Sequence, residues 1–174
     1  MRVCDRPCMC ILSDGEILNL MKSGRIVIEG FSSESLTPNG YDLRVSEILL
    51  PSSGQIWREG VAVIPSNTLF YLSTIEAVRL PSDISAQLWL RTSWIRKGIM
   101  ASFGKVDAGF YGTLTFSGFN ASSSAVEIPI GSKFAQIVFE QMNKQAEMKY
   151  EERSGHYQGQ KGITLTPLKE EKIE

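Results

Sequence analysis

Asp107 is the residue whose surroundings most suggest chemistry. It sits in Gly104-Lys105-Val106-Asp107-Ala108-Gly109-Phe110-Tyr111-Gly112, a turn between apolar segments. A carboxylate held there can orient a water and accept its proton. Upstream, Leu90-Arg91-Thr92-Ser93-Trp94-Ile95-Arg96-Lys97-Gly98 gathers cations and hydroxyls. An arginine fork grips phosphate oxygens bidentately, and hydroxyls add donors. A short helix opening at Ser93 would add amides that favour an anion. Downstream, Gln136 stands inside the strand-like Gly131-Ser132-Lys133-Phe134-Ala135-Gln136-Ile137, where an amide faces either a ligand or water. Together the three phrases carry what a nucleoside triphosphate site needs: donors for phosphate, an acid for water and a close backbone.

Two further phrases belong with them. Tyr157-Gln158-Gly159-Gln160-Lys161-Gly162 has glycines that let the chain wrap closely and donors on Tyr157, Gln160 and Lys161. In Asn39-Gly40-Tyr41-Asp42-Leu43, Asp42 is a candidate to assist a magnesium ion through water. Phe110 offers a ring to pack on a sugar. Each phrase alone also has an ordinary reading: a solvated strand end, a turn aspartate, a polar tail.

The elements that must position these residues are mostly short strands. Ser13-Asp14-Gly15-Glu16 is a capping box, and an apolar stripe through Ile17, Leu18, Leu20 and Met21 carries one helix to Gly24. Strand patterns follow at 25–29, 41–45, 60–64, 69–73, 77–80, 84–90, 113–119, 125–128 and 134–139, separated by turn residues. This spacing predicts an all-β sandwich or jelly roll rather than a parallel α/β sheet. The expected organisation is an extension over 1–10, a β domain over 11–150 and a mobile C-terminal arm over 151–174.

Composition narrows the partners. The 174 residues carry a formal net charge of −1, so no basic field points to nucleic acid. No apolar run approaches the ~20 residues of a membrane span. Cys4, Cys8 and Cys10 crowd one end and are odd in number, which argues against a disulfide framework. A zinc clip there lacks a fourth ligand nearby, since the one histidine is His156. Met9 is a candidate start. No signal-peptide pattern is present, and the expected location is cytoplasmic.

In their order, Gly40-Tyr41-Asp42-Leu43 and the phrases around Arg91, Asp107 and Gln136 resemble the first four motifs of trimeric dUTPases. The tail Tyr157-Gln158-Gly159-Gln160 resembles that of dCTP deaminases, a sister branch of the superfamily. The closest resemblance is to the archaeal-type dUTPase group, over roughly 11–166. It implies a dUTPase-like jelly roll or distorted β-barrel, a homotrimer with sites at subunit interfaces, and Mg²⁺-dependent hydrolysis of dUTP to dUMP and pyrophosphate. Asp107 is then the catalytic residue that orients and activates water. Arg91, Thr92, Ser93, Arg96, Phe110, Gln136, Tyr157, Gln160 and Lys161 are the substrate-binding set. One departure stands out. The deaminases carry a glutamate in the strand after the aspartate turn, where this chain has Ser117. A hydroxyl is a poor general base at neutral pH, which disfavours deamination. The alternatives are a dCTP deaminase, a bifunctional deaminase–dUTPase, and a non-catalytic nucleotide-binding module.

Overall fold

The computed structural model describes residues 10–169. Among them are the strands β1 Cys10–Ile11, β2 Val27–Glu29, β3 Leu36–Thr37, β4 Gly40–Leu50, β5 Gln55–Trp57 and β6 Val61–Ile64. They continue as β7 Thr68–Arg79, β8 Ile84–Leu90, β9 Ile99–Ser102, β10 Tyr111–Asn120, β11 Val126–Pro129 and β12 Lys133–Gln141. The helices are α1 Asp14–Lys22, α2 Thr92–Ile95 and α3 Tyr150–Arg153.

The mainly β expectation holds. Within the described residues the strands form one curled sheet, whose central path runs β1-β12-β4-β7-β10-β9. β8 pairs with β12, β2 with β7, and β3 and β5 with β4, while β6 and β11 form a separate antiparallel pair. The sheet curls because strands twist and because register shifts occur where β7 meets β4 and β10. The core is one cluster built from the inward positions of these strands, with Phe70, Phe134 and Trp94 at its aromatic centre.

Helix α1 starts where its capping box predicts. Ser13 Oγ accepts from the Glu16 amide at 3.4 Å, and Glu16 accepts from the Ser13 amide at 3.1 Å. The patterns at 69–73 and 77–80 turn out to be one strand, β7. Between them Thr74 and Glu76 are polar yet buried, which breaks the alternation read from sequence. The structure satisfies both: Thr74 Oγ1 accepts the Leu114 amide at 2.9 Å, and Glu76 pairs with Arg44 Nε at 2.7 Å. Cys4 and Cys8 lie outside the described residues, and Cys10 is a free, exposed thiol in β1.

The expected mobile arm is seen docked. It runs beside β10, where Gly159 donates to the Tyr111 carbonyl at 2.7 Å and Thr113 donates to the Gln160 carbonyl at 3.0 Å. Gln160 is buried. Polar composition suggested a solvated tail, but the Gly159, Ile163 and Thr164 amides find partners on the sheet while other arm amides bond within the arm.

Candidate active site

Asp107 lies in the connection between β9 and β10. The Phe110 amide closes the turn on the Asp107 carbonyl at 3.1 Å, and Val106 bridges to Ala86. Gly109 has φ +87°, and a Cβ there would come within 3.2 Å of the Tyr150 nitrogen, so only glycine suits the turn. The Asp107 side chain is exposed and faces a cavity of about 360 Å³. Strand β10 forms one wall. Its alternation buries Leu114 and Phe116 and turns Thr115 and Ser117 toward the opposite face. Ser117 lies across from Ser102 of β9 and Tyr71 of β7, and all three hydroxyl-bearing residues line the cavity. Among the described lining residues Asp107 is the one acid and Lys105 the one cation.

Along the outer edge of β10, β9 pairs from Ser117 to Asn120 and the arm takes Tyr111 and Thr113. Thr115 lies in the interval between these two partners. Tyr157, Gln160 and Thr164 of the arm line the cavity, so the arm forms part of its wall. Phe110 also lines it, but it is only 5% exposed and packs edge-to-face on Tyr150, with centroids 5.7 Å apart. Tyr150 in turn accepts the Tyr157 amide at 3.1 Å. A neighbouring cavity of about 420 Å³, largely lined by apolar side chains such as Met142 and Met148, shares Lys105, Asp107 and Tyr150. Its second acid, Glu140, is already held by Gln87 at 2.6 Å and Lys105 at 3.3 Å.

The phosphate candidates gather elsewhere. Gln136 on β12 is the cross-strand partner of Asp42 on β4 and of Trp89 on β8, so the three share a face. Arg91, just beyond β8, pairs through Nε with Asp42 Oδ2 at 3.1 Å. Gln136 donates to Thr37 Oγ1 at 2.6 Å. Thr92 and Ser93 are exposed on α2 and Arg96 just beyond it; the single turn is anchored by buried Trp94, whose Nε1 donates to the Lys133 carbonyl at 2.8 Å. Burial pushes the Asp42 carboxyl above its ordinary value, and Arg91 and Lys133 pull it back only in part.

None of Asp42, Arg91, Thr92, Ser93, Arg96 or Gln136 lines the Asp107 cavity. The structure thus brings Asp107, Phe110, Tyr157 and Gln160 together, and separately Asp42, Arg91 and Gln136. Lys161 is exposed and outside both groups. Tyr71, Ser102, Thr115 and Tyr150 are cavity residues that sequence reasoning passed over. Alternation along β10 pairs Thr115 with Ser117, but Tyr71 and Ser102 arrive only through strand register.

The dCTP deaminase-like family model matches residues 51–142. A dCTP deaminase of Pyrococcus horikoshii is 40% identical, over 83% of this chain and 92% of that protein. The chain belongs to the dCTP deaminase-like family. A second relative, a probable deoxyuridine 5′-triphosphate nucleotidohydrolase of Sulfolobus islandicus rod-shaped virus 1, is 33% identical over 89% of this chain and 97% of its own length. Among solved structures, the 2′-deoxycytidine 5′-triphosphate deaminase of Agrobacterium tumefaciens aligns with a TM-score of 0.65 at 22% identity, over 76% of this chain. This chain covers 49% of that one, about half its length. The native EIAV dUTPase aligns at 0.52 and 18% identity, over 74% of this chain and 98% of its own. Both structural likenesses carry the fold alone. Members named for either chemistry therefore surround the family member described here.

Proposed function

We propose that this family member is a dUTP nucleotidohydrolase, a cytoplasmic enzyme that cleaves dUTP to dUMP and pyrophosphate. The observation that carries the reading is the single acid of the cavity. Asp107 and Ser117 both line that cavity, and by the family resemblance Ser117 stands where the deaminases carry a glutamate. Asp107 orients a water toward the α-phosphorus and takes its proton; the α–β anhydride bond breaks and pyrophosphate leaves. The pyrimidine is read by backbone groups of the Thr113 to Asn120 strand, with Phe110 and the arm's Tyr157 and Gln160 enclosing the sugar and phosphates.

Arg91, Thr92, Ser93 and Gln136 hold the triphosphate, with Arg96 and Lys161 further out. Because they lie apart from Asp107 in one chain, we assign the complete site to an interface of a homotrimer, one copy supplying Asp107 and another the clamp. Apolar Trp89, Ile95 and Met100 are 58%, 54% and 63% exposed and suit such contact. Among the described residues no three acidic, histidine or cysteine side chains cluster to hold a metal ion, and Asp42 is already paired with Arg91. The substrate is accordingly taken as the magnesium complex of dUTP, in which the ion neutralises phosphate charge. No helix of the described residues is long and apolar enough to cross a membrane, and no nucleic-acid partner is assigned.

A second reading, dCTP deamination with or without dUTP hydrolysis, is favoured by the names of the archaeal relatives. Deamination needs a group that shuttles protons between water, ring nitrogen and the leaving amine, and Ser117 does not supply it. Incubation of the protein with dUTP and dCTP side by side, scoring pyrophosphate and ammonia, tests both. Pyrophosphate from dUTP without ammonia from dCTP is expected. Ammonia release would make the deaminase reading the leading one, and nucleotide binding without turnover would leave a non-catalytic module.

A further inference from the structure

One carboxylate outside the cavity holds the C-terminal arm to the sheet. Glu47, on β4, has a side chain only 14% exposed. Its Oε1 accepts the Ile163 amide at 2.8 Å, and its Oε2 faces Arg58 Nε at 3.1 Å. The preceding residue, Gly162, has φ +66°, and a Cβ there would lie 2.7 Å from Glu47 Oε1. The chain passes this carboxylate so closely that a side chain would meet it. Thr115 grips the same bend from β10: its Oγ1 accepts the Thr164 amide at 3.0 Å and donates to the Gly162 carbonyl at 3.2 Å. Thr115 and Thr164 also line the cavity that Asp107 faces. The anchoring bend and the cavity wall are therefore one continuous piece of chain.

We infer that Glu47 is a latch that fixes the arm, in cis, over the cavity containing the same chain's Asp107. An amide donating to a carboxylate forms a charge-assisted hydrogen bond, stronger than a neutral one. The half-buried site keeps that bond partly shielded from water, so its loss is felt along the arm. Glu47 does not line the cavity. It is a positioning residue, acting on a bound molecule only through the arm. The inference rests on the proposed hydrolase reading only where it treats this cavity as the reaction site.

Hydrogen exchange on the full chain tests the latch without any turnover. In Glu47→Ala the Gly159 and Thr164 amides should exchange about tenfold faster or more, the effect of losing one charge-assisted bond. Glu47→Gln keeps an oxygen acceptor and should retain most of the protection. Ile163→Pro removes the donor while leaving Glu47 and the sheet untouched, and should match Glu47→Ala. Unchanged protection in both Glu47→Ala and Ile163→Pro overturns the latch. For the cis assignment, Thr115→Cys with Thr164→Cys is oxidised in a chain whose Cys4, Cys8 and Cys10 are serine. A disulfide within single chains on a non-reducing gel is expected; cross-linked dimers overturn it. Failure of dUTP hydrolysis would leave both readouts standing.

Discussion

Asp42 and Asp107 are both acids of the candidate site, yet their surroundings are opposite. Asp42 is 5% exposed, lies on a central strand and is paired with Arg91 at 3.1 Å. Asp107 sits on a turn, exposed to a cavity, and among the described residues its carboxylate has no hydrogen-bond or ion-pair partner. An acid neutralised by its own arginine is poorly placed to accept a proton from water. An unpartnered one beside a hollow is placed to do so. The pairing also holds the Arg91 fork in place; in the proposed reading this would lower the ordering cost of binding phosphate. In the proposed reading the contrast separates a preset clamp from an open reaction centre.

Asp107→Asn should have the most severe effect. The substitution keeps shape but removes the basic oxygen, and a positioned base contributes ~10²–10⁴-fold in rate. Turnover of dUTP should fall by that order while binding of a non-hydrolysable analogue largely survives. Near-native turnover would remove Asp107 from the mechanism.

Next in size is Arg91→Ala. A hydrogen bond to a charged group contributes about 1.5–3 kcal/mol, so dUTP affinity should fall roughly ten- to a hundredfold. Deoxyuridine, which lacks phosphates, should bind as before. Calorimetric titration of both ligands measures the split, and equal losses would contradict the clamp.

Deleting the chain from Gly155 onward probes the enclosure. Turnover should drop by less than in Asp107→Asn, and the oligomer seen by light scattering should persist, because the core cluster lies upstream apart from Tyr157, a peripheral member. A fully active truncation would show that the arm is no part of the site.

The smallest expected effect is on pH-dependent stability. Burial raises the Asp42 carboxyl, so the folded state binds its proton more readily than the unfolded chain. Its contribution is full below the ordinary aspartate value and is lost as pH rises through the raised one. Asp83 behaves oppositely. Burial opposes its ionisation, but hydrogen bonds from Arg25 and Gln141 outweigh that and lower it. Its stabilisation is present above the ordinary value and is lost as pH falls through the lowered one. Melting temperatures across the acid range should lose the first slope in Asp42→Asn and the second in Asp83→Asn.

Much of this molecule was legible from residue order alone. The capping box at Ser13 and Glu16 marks α1 because its hydrogen bonds span three residues and need nothing distant. Strand β8 spans 84–90 as its pattern predicts, and the Gly109 turn placed Asp107 between two strands. These are local properties of propensity, alternation and backbone freedom. What tertiary structure alone decided is which of these pieces meet. Register across β7, β10 and β9 sets Tyr71, Ser117 and Ser102 side by side, and no spacing in the sequence encodes that row. Buried Glu76 breaks the pattern of β7 because its partner, Arg44, is 32 residues away. The arm's polar composition read as a solvated tail, since a glycine-rich stretch carries no apolar signal. It docks because β10 presents an edge beyond the end of β9, and unpaired backbone groups bind whatever backbone reaches them.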